Sequence, residues 1–358
     1  MSASSLPHSS SINRPRVGTT INRTLLAAAA VGLAATAYRR PPGEHGTLVP
    51  WGQDPAAFAL SVLLAVAGYR VAVRADATGD ARRMAGWLLA RALPGLWAGI
   101  GVLLLVVGPL ETWWHLRGYV GSVHTRIFAE NLLLRQRPFL TGVFLDSPRR
   151  ELAAPVVWSF LAGALGSLPV LATAGTGTRA RLGSFGAAAL ACGAAGWALS
   201  GRPPVIVWGA DAATLLYGIA FFAAGTATHA ALGHEAVRFR FDAAVLCFAA
   251  DALGVWWLGA ACLPMLWLTV PYMAVTAARA YEGAGGQAVD ARRADPSLGM
   301  LLLGLPMLQV TAERWAMWPG ALLGALVLAT GWGFLSWFAV ERSALGWWAA
   351  RGERPWTR

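Results

Sequence analysis

The chain has 358 residues, of which 56% are hydrophobic and only 13% charged. A soluble domain carries about a quarter charged residues, so a water-soluble globular enzyme is excluded. The net charge of +11 comes from arginine alone, since the sequence contains no lysine. The arginines lie in short loops between apolar runs, which fits the positive-inside bias of membrane proteins and not a nucleic-acid surface.

Residues 1–21 form a Ser-rich, mildly basic tail, predicted to be disordered and cytoplasmic. The apolar run from Leu25 to Tyr38 reads as an uncleaved first helix, with a signal-peptide core as the alternative. Hydropathy predicts ten spans, at about 22–38, 55–73, 86–109, 154–173, 182–200, 211–230, 242–258, 260–278, 297–313 and 319–340. Crossing a bilayer takes about 20 apolar residues. The first and ninth spans are short for that, which implies tilt, burial inside the bundle or snorkelling arginines. The seventh and eighth nearly touch and require a tight turn near Gly259.

Ten spans put both termini on one side, together with Arg74, Arg82, Arg83, Arg179 and Arg181. The arginine bias makes that side the cytoplasm of a bacterial cell and turns the loop 110–153 outward. Residues 22–346 then form a single all-α integral membrane domain, followed by a cytoplasmic tail over 347–358. Cys192, Cys247 and Cys262 all fall in apolar segments without CxxC spacing. They read as small hydrophobes, and neither a metal site nor a disulfide framework is expected.

The segment ARALPGLWAGIGVLLLVVGPL (90–110) holds Arg91, Pro94, Leu96, Trp97, Gly108, Pro109 and Leu110. Further along come NLLLRQRPFLTGVFLDSP (131–148), VVWSF (156–160), DPSLGMLLLGLPMLQV (295–310) and FLSWFAVERSAL (334–345). In order and spacing these segments resemble the acyltransferase-3 family of membrane O-acyltransferases. The resemblance runs from about residue 22 to 346 and implies an all-α bundle of about ten transmembrane helices. It also implies an acyl-CoA donor from the cytoplasm. The acceptor would be a hydroxyl of an envelope glycan, lipid or metabolite at the outer face. No bound cofactor is implied.

A hydroxyl nucleophile needs a base to take its proton, and the developing oxyanion needs donors or positive charge. The resemblance places a His base in the first span, an Arg eleven residues before it and a Glu shortly after the fourth-span Trp. Here those positions hold Thr36, Leu25 and Gly163, and in the ninth span Leu298 and Leu301 stand where the family has tyrosines. His45, in the loop GEHG, is the nearest substitute base, with an ordinary pKa of about 6.5. His115 and His124 lie in the outer loop, whereas His229 and His234 fall on the cytoplasmic side.

Arg91 reads either as a contact to acyl-CoA phosphates or as a boundary arginine that snorkels. Glu341 and Arg342 read as interface anchors. Asp251 is the deepest ionisable residue among the spans and a candidate on that ground. Trp113, Trp114, Tyr119, Phe128, Phe139 and Phe144 suit a sugar or lipid-headgroup surface, or an interfacial belt. Three functions follow. They are O-acyl transfer with a displaced base, a catalytically inactive relative that binds or assembles partners in the membrane, and a lipid or metabolite transporter.

Overall fold

The structure is a computed structural model that describes residues 55–137, 139–145, 154–173, 176–200, 202–232, 240–258, 263–282, 295–314 and 318–350, together with Ala27 and Val31. In chain order the longer helices are α1 (Pro55–Thr78), α2 (Ala81–Val102), α3 (Leu116–Gly121), α4 (Val123–Phe128), α5 (Ala154–Ala172) and α6 (Thr178–Ser200). They continue with α7 (Ala212–Leu232), α8 (Phe241–Leu258), α9 (Leu263–Glu282), α10 (Ser297–Arg314), α11 (Trp318–Ser336) and α12 (Arg342–Ala350). A two-stranded antiparallel hairpin, β1 (Ile206–Val207) and β2 (Ala210–Asp211), precedes α7.

Among the described residues, five segments are long and apolar enough to cross a membrane: Phe58–Thr78, Ala81–Glu111, Thr178–Ser200, Ala212–Leu232 and Pro319–Trp348. The chain is a mainly helical membrane protein. Each run expected after the first coincides with a helix, but the expected ten crossings are not reached among the described residues. In α5 the apolar stretch is the shorter Val156–Ala172. Pro271 and Pro306 interrupt α9 and α10, whose ends are charged at Glu282 and Arg314. Much of α10 is buried against other helices. The helical path through α12 also passes the expected domain boundary at 346.

Two groups of helices share the core. In one, α7 packs against α1, α5, α6 and α9; in the other, α2 packs against α10 and α12, and α10 against α11. Helix α7 is rich in Ala and Gly and is buried on nearly all sides, as a helix apolar all round must be. Its approach to α1 is close because both helices present glycine. A Cβ on Gly225 would sit 1.9 Å from the Ala65 carbonyl oxygen, and one on Gly68 would sit 2.1 Å from that of Phe222. Small residues at such crossings let backbones meet without side chains between them. The break between α1 and α2 is equally local in origin. Gly79 adopts φ +64°, and the Asp80 carboxylate caps α2 by accepting from the Arg82 N–H at 2.8 Å.

At the other end of α2 the helix widens into a π turn, Leu103–Val107, and continues to Glu111. The Gly108 N–H then bonds Leu103 O. A further i+5 bond to Leu104 O would have to come from residue 109, which is proline and has no N–H. The Tyr119 hydroxyl supplies the missing donor at 2.8 Å. Gly108 makes room for it, since a Cβ there would lie 1.9 Å from the phenol oxygen. The G-P pair and Tyr119 are thus one device joining α2 to the following loop.

Tyr119 is 1% exposed, and burial pushes its phenol up to about 12. A folded-state value above the unfolded one, about 10, gives stability that is complete below pH 10. It is lost as the pH rises towards 12. Tyr119→Phe is expected to leave Leu104 O buried without a donor, at a cost of about 1–3 kcal/mol. Thermal midpoints measured from pH 8 to 11 test both statements: the variant should start lower and lack the alkaline decline that Tyr119 contributes.

The loop beyond α2 is anchored by Asn131, which is fully buried. Its amide donates to the carbonyls of Phe128 and Arg137 at 2.8 and 3.0 Å and accepts from the Arg137 N–H at 2.8 Å. Gln136 N–H donates to Trp208 O, which brings the β hairpin onto this loop.

Candidate functional site

Arg91 lies ten residues into α2, about 15 Å along it at 1.5 Å per residue. That depth is a costly place for a lone guanidinium. The structure surrounds it with carboxylates from distant parts of the chain. Nη1 donates to Glu341 Oε2 at 2.5 Å, and Nη2 donates to Asp295 Oδ2 at 2.9 Å. Glu341 is fully buried and Asp295 is 3% exposed.

Each carboxylate gives its second oxygen to a serine. Ser336 donates to Glu341 Oε1 at 3.0 Å, and Ser297 Oγ donates to Asp295 Oδ1 at 2.5 Å. The Trp337 ring lies 5.3 Å from the Arg91 guanidinium carbon, within cation–π range.

Local backbone features place these groups. Trp337–Glu341 is a second π turn, between α11 and α12; π turns often mark functional positions. Gly95, one turn beyond Arg91, keeps the space open. A Cβ there would come within 2.5 Å of Leu298 Cδ2 and 3.0 Å of Glu341 Oε1. Asp295 stands just ahead of α10 and also accepts from the Ser297 N–H at 3.3 Å. Close backbone approach holds α10 against α11, where a Cβ on Gly299 would lie 2.6 Å from Gly333 Cα.

This geometry departs from both sequence readings of Arg91. Both terminal nitrogens are engaged by carboxylates of this chain, an internal pairing that neither reading includes. Glu341 is likewise no interface anchor, being enclosed at 0% exposure, whereas its neighbour Arg342 is exposed.

Gly163, where the resemblance places a Glu, stands in apolar packing. A Cβ on it would rest 3.4 Å from Leu64 Cδ2. Neighbouring Gly218 meets Trp158, Ala162 and the same Leu64. Leu298 and Leu301 pack into the two hydrophobic clusters. Leu25, Thr36, His45 and His234 lie outside the described residues, as do the loop carboxylates Asp146 and Glu151.

The remaining candidates divide by burial. Tyr119, Phe128 and Phe144 are core residues, while Trp113, Trp114 and Phe139 project outward. His115 and His124 are exposed. Asp251 is 4% exposed, and its Oδ2 has no hydrogen-bond partner among the described residues. Cys192 is partly buried and Cys247 exposed, each a free thiol. His229 pairs with Asp76 at 2.8 Å. The sequence reading gave Asp76 no role; its place near the end of α1, opposite the basic start of α6, was the available signal.

Comparison with protein-family models, with curated proteins and with solved structures finds no match.

Proposed function

We propose that the chain follows the acyltransferase-3 plan of a helical membrane bundle. On this reading it acts as a catalytically inactive relative that binds or assembles partners in a bacterial plasma membrane. The family plan is supported by the meeting of three separated segments, since Arg91, Asp295 and Glu341 come from three of the stretches that carry the resemblance. The loss of the reaction at its usual place is carried by Gly163. Glycine at this position supplies no carboxylate, and a Cβ there would meet Leu64 Cδ2 at 3.4 Å, an apolar neighbour. The bias of arginines supports a cytoplasmic side that carries both termini, Asp76 and Arg83.

A second reading keeps the family reaction, acyl transfer from acyl-CoA to an envelope glycan, lipid or metabolite hydroxyl, with His45 as substitute base. The convergence at Arg91 favours the family plan under either reading, and a glycine at 163 in place of a carboxylate favours the inactive one. Mass spectrometry of ester-linked acyl groups separates them. It compares a deletion strain with strains complemented by the wild type or by His45→Ala. No ester is expected to change. An ester that disappears on deletion and returns with the wild type overturns inactivity, and its failure to return with His45→Ala assigns the base.

A further inference from the structure

A second charged cluster lies at the Gly79 end of the bundle, apart from Arg91. Asp76 comes from the last turn of α1, Arg181 from the first turn of α6 and His229 from the last turn of α7. Arg181 Nη1 donates to Asp76 Oδ1, and His229 Nε2 pairs with Asp76 Oδ2 at 2.8 Å. The three residues border a cavity of about 110 Å³. Its apolar lining comes from Ala72, Val170, Phe185 and Ala230, and Thr178 and Thr226 complete it.

Ion pairing at Asp76 is a weak contributor to stability. The Asp76 side chain is 44% exposed, and partly exposed ion pairs contribute little. Both Asp76 oxygens are engaged, one by each partner. Arg181 Nε donates to Thr173 O at 3.1 Å, and the Thr226 hydroxyl donates to Phe222 O at 3.1 Å. Among the described residues the remaining donors are Arg181 Nη2 and the Thr178 hydroxyl, joined by the second ring nitrogen of His229 when the ring is an imidazolium. A guanidinium edge beside a hydroxyl and an imidazolium is suited to an oxyanion. The volume is well below the roughly 300 Å³ or more of pockets for drug-sized ligands.

We propose that this cavity binds a small oxyanion, a phosphate or carboxylate group, whose short apolar attachment rests on Ala72, Phe185 and Ala230. The group belongs either to a soluble metabolite or to a membrane lipid headgroup; both present the same chemistry. The proposal stands independently of acyl transfer and of the binding-subunit reading, because it concerns other residues and has a different readout.

The test uses the full chain in phosphatidylcholine nanodiscs. Its thermal midpoint is followed as inorganic phosphate replaces chloride at constant ionic strength, and again in discs containing phosphatidic acid. A ligand that binds the folded state raises the midpoint by mass action. A rise with inorganic phosphate identifies a soluble anion, and a rise confined to phosphatidic acid discs identifies a headgroup. Either rise should be weakened by about tenfold or more in apparent affinity by Arg181→Gln, which removes a charge-assisted donor. Ala230→Leu and Ala72→Leu should do the same by filling the cavity while leaving all three charged residues in place. The proposal is overturned if neither probe raises the midpoint, or if the cavity-filling variants respond like the wild type.

Discussion

Arg91→Met is expected to destabilise the protein by about 3–5 kcal/mol, because it strands two buried carboxylates that shared one guanidinium. The wild-type cluster is well satisfied, with each carboxylate bonded to Arg91 on one oxygen and to a serine on the other. Arg91→Lys should recover only part of the loss, since an ammonium cannot span Asp295 and Glu341 with the geometry of a planar fork. Arg91→Met combined with Asp295→Asn and Glu341→Gln should be more stable than Arg91→Met alone, as removing both partners of a buried pair costs less than removing one. Fluorescence-detected size-exclusion chromatography after graded heating would order the variants. Equal midpoints for Arg91→Met and the wild type would show that the cluster carries no stability.

Gly225→Val is the second substitution with a large expected effect. Its Cβ would lie inside the van der Waals contact of Ala65 O, an atom of the α1 backbone that cannot rotate away. Relief requires α1 and α7 to separate, and α7 is central to its helix group. We expect a loss of at least about 3 kcal/mol, above the usual range for overpacking, with little folded protein recovered in detergent. Gly101→Ala and Gly186→Ala provide the contrast. Nothing lies within 4 Å of a Cβ at either position, and alanine favours a helix by up to about 1 kcal/mol. These two variants should be neutral or slightly stabilised. Comparable losses at all three sites would disprove the crossing as the cause.

Much of the helical framework was legible in the sequence. Apolar runs marked helices, while the roles of Gly79 and Asp80 in the break between α1 and α2 are seen only in the structure. Crossing capacity was less legible, because hydropathy does not distinguish an apolar helix in lipid from one enclosed by its neighbours. Helix α10 is the clearest case: it was expected to span, yet most of its length is buried in protein. Arg91 stood out as a retained position, but its partners lie 204 and 250 residues away. No local pattern reports such a separation. Glu341 read as an interface anchor because a charged residue at a span end ordinarily is one, whereas here it is buried against Arg91. The Asp76–Arg181–His229 cluster was missed for a related reason: its members come from three helix ends and share no motif.

The two π turns have a consequence for insertions and deletions. Each holds one more residue than an α-helical turn, so losing a residue from 103–107 or 337–341 need not break the helix. It would restore a regular α turn and leave the two flanks close to their present azimuths, because the widened turn is what absorbs the extra residue. The same loss from a regular stretch of α2 or α11 would instead rotate one flank by about 100° relative to the other. Tolerance of a one-residue deletion is therefore expected to be local to 103–107 and 337–341.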